Sequence, residues 1–332
     1  MMRRVVLLAL ACVSLYLVGP AILEVLDSWP AVLDLDPFLL QLIVIAQIGA
    51  FACQWARLRI TLRERRWTGV VTSQLAATAA SRVLPGGGAA ANALQYSMLV
   101  RGGVTGATAA SGLVAASLML TGIVFALPAL ALPAVIGGEG IDRSLARAAW
   151  AGGAALALLT AAGALLLLTE APLRSAGRLV QAASSRVRRR GNDGDLPGRL
   201  LRERDLIRDV LSSHWPEALV ATVGRWAFDY AALLLALLAV GARPAPSAVL
   251  LAFCVAQVLA LIPLTPGGLG FVEAGLTGTL ALAGVAAGDA LVATLAYRLA
   301  AYWLPLPVGA IAYAVHRRAF ATPASAGPAT PS

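Results

Sequence analysis

The sequence predicts an all-α fold, a polytopic bundle of transmembrane helices. Three observations predict it. The 332 residues are 59% hydrophobic and only 13% charged, against about half apolar and about a quarter charged in a soluble domain. Mean hydropathy is +0.79. Apolar stretches long enough to cross a bilayer recur along the chain, separated by joints where arginines collect. The elements read as about six full spans plus two re-entrant hairpins of broken helices, or as eight or more spans.

The first span covers residues 5–23. Its Met1-Met2-Arg3-Arg4 lead resembles a signal peptide, but no small-x-small cleavage motif follows, so it reads as an uncleaved span. The next loop carries Glu24, Asp27, Asp34 and Asp36 and no basic residue. A second span, 38–56, ends in Arg57, Arg59, Arg63, Arg65 and Arg66. The positive-inside rule puts the N-terminus and this cluster in the cytoplasm. Residues 70–84 form a shorter apolar stretch, broken at Pro85-Gly86-Gly87-Gly88, and residues 89–100 form another. Both fall below the ~20 residues a span needs, so they read as a hairpin that enters from the cytoplasm and returns to it.

Spans at 104–127 and 148–168 follow, then an arginine-rich polar stretch at 172–209. That stretch suits amphipathic helices on the inner leaflet or a solvated loop equally well. A span at 217–240 leads to the second hairpin, 249–261 and 273–285 around a Pro-Gly break. The last span, 290–315, ends in His316-Arg317-Arg318, and residues 319–332 read as a disordered Pro/Ser/Ala tail. One transmembrane domain, 1–318, thus has halves 1–168 and 217–318 joined by a cytoplasmic loop, 169–216. Both termini are expected in the cytoplasm.

The second break is the most informative stretch. Pro263, Pro266, Gly267, Gly268 and Gly270 interrupt apolar sequence just before Glu273. Proline removes a backbone donor and glycine loosens a helix, and inside a bilayer such a break needs shielding by protein or a watery cavity. Pro85-Gly86-Gly87 falls on Pro266-Gly267-Gly268 at one constant offset, which also places Leu99 on Leu280, Gly103-Val104 on Gly284-Val285 and Asn92 on Glu273. With the hairpins entering from opposite sides, the pattern reads as an inverted repeat, an arrangement typical of transporters.

Polar residues within the apolar stretches are the candidate binding residues. Glu273 reads as a headgroup or proton partner, or as a carboxylate capping the helix after Gly270. Arg298 needs a partner, and Glu273 is available. Arg225 and Asp229 stand at i and i+4 on one face, as a functional pair or a self-contained ion pair. Arg82 precedes the first break, placed to bind phosphate or to cap the hairpin. Asn92, Gln95 and Tyr96 line part of the first return helix, where polar helix–helix hydrogen bonding is the more common role for such residues. Tyr297, Tyr302 and Trp303 suit either an interfacial belt or a cavity wall.

Several classes are disfavoured. The net charge of +9 comes from arginine alone, since no lysine is present, and the arginines flank apolar spans. That pattern sets orientation or contacts anionic lipid rather than nucleic acid. Cys12, Cys53 and Cys254 lie in apolar stretches without metal-type spacing, and the two histidines, His214 and His316, both flank spans. No metal and no cofactor is expected.

Two tracts resemble a known family. One runs from Ser81-Arg82-Val83-Leu84-Pro85-Gly86-Gly87 to Arg101-Gly102-Gly103-Val104. The sharper one runs from Leu261 through Pro266-Gly267-Gly268-Leu269-Gly270-Phe271-Val272-Glu273, then Ala296-Tyr297-Arg298 and Tyr302-Trp303-Leu304-Pro305. Together they resemble the lysylphosphatidylglycerol synthase/flippase transmembrane-domain family and the UPF0104-like membrane proteins. The resemblance implies a multi-pass protein of the bacterial inner membrane that translocates or handles lipids with anionic or modified headgroups, a transporter rather than an enzyme. In the best-known members this domain precedes an aminoacyl-transferase domain, for which this sequence, ending at Ser332, leaves no room. A membrane enzyme modifying a lipid carrier and a scaffold for lipid synthesis are the alternatives. As protein partners, a second copy of the chain or a lipid-synthesis enzyme stays open.

Overall fold

In the computed structural model, residues 30–32, 34–84, 87–131, 143–144, 146–147, 150–154, 157–158, 161, 205, 214–261 and 265–320 are described. The expected span at 5–23, most of that at 148–168, most of the arginine-rich stretch and the tail beyond residue 320 lie outside them, as do Pro85, Gly86 and Pro263. Every regular element among the described residues is helical. Four helices are long and apolar enough to cross a membrane: Pro37–Leu62 (α1), Gly106–Ala126 (α4), Trp215–Ala239 (α5) and the composite Ala287–Ala319.

The ends of these helices follow from local chemistry. Asp36 accepts the Phe38 N–H at 2.9 Å, with Pro37 at the first helical position of α1. Pro216 and Pro246 play the same opening role in α5 and in α6 (Pro246–Ala260). Thr105 caps α4 by accepting the Thr108 N–H. Helix α1 runs past the expected end of its span, so Arg57 is a helical residue with 3% exposure. It does not belong to the exposed basic cluster; it turns inward and donates to the Ala116 carbonyl.

Both expected hairpins are present as pairs of short helices. Trp67–Val83 (α2) packs on Gly87–Arg101 (α3), and α6 packs on Phe271–Leu282 (α7). Their lengths of 17, 15, 15 and 12 residues fall short of the ~20 a span requires. Small residues let the helices approach closely. Gly49 of α1 sits against the Phe228 ring of α5, and Gly309 sits against the Leu75 carbonyl and Ala79 of α2.

The last span is continuous from Ala287 to Ala319 but not uniform. It comprises α8 (Ala287–Arg298), a π-helical turn (Leu299–Trp303) and α9 (Pro305–Ala319). The cause is in the sequence. Pro305 has no N–H to offer the Ala301 carbonyl and its ring crowds that oxygen, so the helix loosens by a residue and Leu304 N–H bonds back to Leu299 at 3.0 Å.

The two breaks meet at this turn. The Tyr302 hydroxyl donates to the Arg82 carbonyl at 3.1 Å. A Cβ on Gly267 would lie 2.6 Å from the same hydroxyl, and Gly267 has φ +61°. Gly267→Ala therefore carries a left-handed strain of about 1–2 kcal/mol and also displaces Tyr302. We expect a lower thermal unfolding midpoint in detergent, measured against Gly278→Ala, where a Cβ meets nothing within 4 Å.

Candidate functional site

Between α1, α2, α3, α5, α6 and the last span lies a cavity of about 290 Å³. It is polar although its walls are spanning helices. Helix α1 contributes Gln47 and Gln54, and α2 contributes Gln74, Thr78, Ser81 and Arg82. Asn92 and Gln95 come from α3, Arg225 and Asp229 from α5, Gln257 from α6, and Tyr297 and Arg298 from α8. Spacing explains the convergence. Gln47 and Gln54 are seven apart, as are Gln74 and Ser81, so each pair shares one helix face.

Asp229 is the hub of the buried network. Its Oδ1 accepts from Gln47 Nε2 at 2.7 Å and from the Tyr297 hydroxyl at 3.0 Å. Its Oδ2 pairs with Arg225 Nη1 at 2.8 Å. Arg225 and Asp229 thus form an ion pair that also faces the cavity. Tyr297 lines the cavity and is no belt residue, since it is 5% exposed.

Arg298 and Glu273 pair as their sequence positions suggested, with Nε donating to Oε1 at 2.7 Å. Glu273 lies behind Arg298 and does not line the cavity. Its Oε2 has no hydrogen-bond partner among the described residues; the carboxylate stands in the first turn of α7 and orients the arginine. Arg298 also stacks on the Tyr302 ring, 4.5 Å from its centroid, and its Nη2 has no hydrogen-bond partner among protein atoms.

Arg82 braces the π turn of the last span. Its Nη1 donates to the Tyr302 carbonyl at 2.5 Å and its Nη2 to the Ala301 carbonyl at 2.6 Å, supplying a donor to the oxygen that Pro305 leaves unpaired. The same guanidinium lies over the Tyr302 ring, 5.0 Å from its centroid, and forms part of the cavity wall.

Two expectations need correction. Tyr96 does not line the cavity: it is 39% exposed, and its hydroxyl sits by Gly106. The cavity face of α3 runs through Gly88, Ala91, Asn92 and Gln95, and Tyr96 is turned about 100° from Gln95. His316 does not merely flank a span. It is buried, its ring bonds Thr72 Oγ1 at 2.7 Å and the Met98 carbonyl at 3.0 Å, and it ties α9 to α2 and α3.

The four glutamines at 47, 54, 74 and 257 were not singled out from sequence, although the seven-residue spacing within α1 was visible there. Outside the polar cavity, a groove of about 450 Å³ runs along α4, lined by Leu113, Val114, Leu118 and neighbours. Asn92 lines both this groove and the cavity. Among the described residues no cluster of three metal-type ligands occurs.

Apolar spans packed around a charged internal cavity define a multi-pass integral membrane protein. The chain belongs to the lysylphosphatidylglycerol synthase TM region family, whose profile matches residues 4–309. It is also 35% identical over 91 residues to a UPF0104 membrane protein of Methanothermobacter thermautotrophicus (strain Delta H). That match covers 27% of this chain and 26% of the relative, so the aligned region spans about a quarter of that protein's length. Family membership supports a role connected with membrane lipids.

Proposed function

We propose that the protein is a lipid translocase that carries a headgroup through its polar cavity while the hydrocarbon chains stay in the bilayer. The observation that carries this reading is the junction at Asn92. On one side lies a cavity with three guanidiniums, on the other an apolar groove whose Val114 and Leu118 are 46% and 56% exposed. A molecule with a charged head and apolar tails matches both sides at once. A soluble substrate would leave the groove without a role.

The cavity volume sits near the lower end of ligand sites, roughly 300–1,000 Å³, which suits a headgroup and not a whole lipid. Arg82 and Arg298 would hold a phosphate, with Glu273 positioning Arg298. The two hairpins, touching at Tyr302, would act as the halves of an inverted repeat that rock to expose the cavity alternately. We place the protein in the bacterial inner membrane with both termini cytoplasmic, from the distribution of arginines. This reading makes it a transporter and not an enzyme, with a second copy or a lipid-synthesis enzyme as protein partner.

Reconstitution into liposomes tests the proposal. Wild-type protein should accelerate flipping of a fluorescent phosphatidylglycerol over protein-free liposomes. Arg298→Ala combined with Glu273→Gln should slow it by roughly ten- to a hundredfold, the worth of one charge-assisted hydrogen bond. Equal rates for wild type and variant would refute the site.

A further inference from the structure

Charge and hydrogen-bond accounting inside the cavity distinguishes two kinds of headgroup. Arg82, Arg225 and Arg298 line it, against the single carboxylate of Asp229. Counting Glu273 behind Arg298, the cluster still holds one more cation than anions among the described residues. Neither carboxylate is open to an incoming amine. Both Asp229 oxygens are engaged, by Gln47, Tyr297 and Arg225. Glu273 is bound to Arg298 and lies off the cavity wall, its unpartnered Oε2 included.

Donors, by contrast, are in surplus. Arg298 is 8% exposed, lines the cavity, and has an Nη2 without a hydrogen-bond partner among the described residues. A buried donor left unpaired costs stability, and an acceptor entering the cavity relieves that cost. The amides of Gln54 and Asn92 also line the wall and bond no other described residue. An ammonium brings only donors, and it would enter among three guanidiniums where low dielectric strengthens repulsion. A phosphodiester brings one negative charge and only acceptors, and neutral hydroxyls can both donate to and accept from amides.

We propose that the cavity recognises the phosphodiester of an anionic lipid with a small, neutral, hydroxylated head, and discriminates against heads carrying an amine, aminoacylated lipids included. The phosphate meets Arg298 Nη2 on the Arg82 side, and the head hydroxyls meet Gln54 and Asn92. This assignment rests on the lipid-handling reading, but its test is separate from flipping.

The test is binding to the purified full chain in a neutral detergent, using phosphatidylglycerol, lysyl-phosphatidylglycerol, phosphatidic acid, diacylglycerol and inorganic phosphate as probes. Phosphatidylglycerol should bind at least ~tenfold more tightly than the lysyl lipid, as expected for removing a like-charge contact, and diacylglycerol should bind more weakly still. Arg298→Ala with Glu273→Gln should abolish the preference. Gln54→Leu leaves the ion pairs in place; it should weaken phosphatidylglycerol several-fold and leave phosphatidic acid, which has no head hydroxyls, unchanged.

Equal or tighter binding of the lysyl lipid overturns the assignment. Inorganic phosphate binding as well as the lipid overturns its lipid part. Flipping of the lysyl lipid in preference would sink the headgroup assignment while leaving translocation standing. Selective binding of phosphatidylglycerol with no flipping would do the reverse.

Discussion

Asp229→Ala is expected to destabilise the protein by roughly 3–5 kcal/mol, the cost of leaving one member of a buried ion pair alone. Asp229 is 2% exposed, so its carboxylate is held by protein partners. Its loss strands Arg225, whose guanidinium also lies over the Trp226 ring, 4.9 Å from the centroid. It also removes the acceptor of Gln47 and Tyr297. Asp229→Asn is a sharper probe. The amide oxygen can still serve Gln47 and Tyr297 at the Oδ1 position, but an NH2 group then faces the Arg225 donor. The asparagine variant should therefore fall between wild type and alanine. Removing both charges, as Arg225→Leu with Asp229→Leu, should recover most of the loss, because two apolar groups leave no stranded charge. Thermal unfolding in detergent measures the series. An alanine variant as stable as wild type would mean that Asp229 is not the hub of the network.

How much of this was legible follows from the kind of signal each residue leaves. The two breaks were legible because proline and glycine have fixed backbone consequences, and both appear as pairs of short helices. The pairs Arg225–Asp229 and Glu273–Arg298 were legible because a charge in an apolar run must find a partner, and few partners exist. The π turn was not read, although its cause, Pro305 four residues after Ala301, stands in the sequence. Its consequence depends on Arg82, which arrives from a helix some 220 positions away.

The glutamines were missed for a different reason. An uncharged amide in a spanning helix is inexpensive enough to have many roles, so one glutamine says little. Only the assembled faces show that Gln47, Gln54, Gln74, Gln95 and Gln257 converge. Tyr96 was misplaced because proximity in sequence to Asn92 and Gln95 stood in for helical phase. His316 was misread because the sequence shows it among arginines at a span's end, whereas the fold buries it against Thr72 and Met98.

Arg298→Ala and its double with Glu273→Ala should separate folding from transport. The side chains of this pair are each 10% exposed. Removing the arginine alone leaves a buried carboxylate unpaired, which costs about 3–5 kcal/mol. Removing both takes away that unpaired charge, so the double variant should regain most of the unfolding midpoint. It should not regain transport, because the Arg298 guanidinium of the cavity wall is gone in both. Glu273→Ala alone leaves Arg298 charged but without its orienting bond, and transport should fall by roughly an order of magnitude or more, in line with a lost charge-assisted hydrogen bond. In the Arg298→Ala background the same Glu273 change should have no further effect on transport, since a positioning residue acts only through what it positions. Unfolding midpoints and liposome flipping rates of the four proteins complete the cycle. If stability and transport recover together in the double variant, the pair is structural and the headgroup is bound elsewhere. If stability returns and flipping does not, Arg298 is the contact and Glu273 is the residue that aims it.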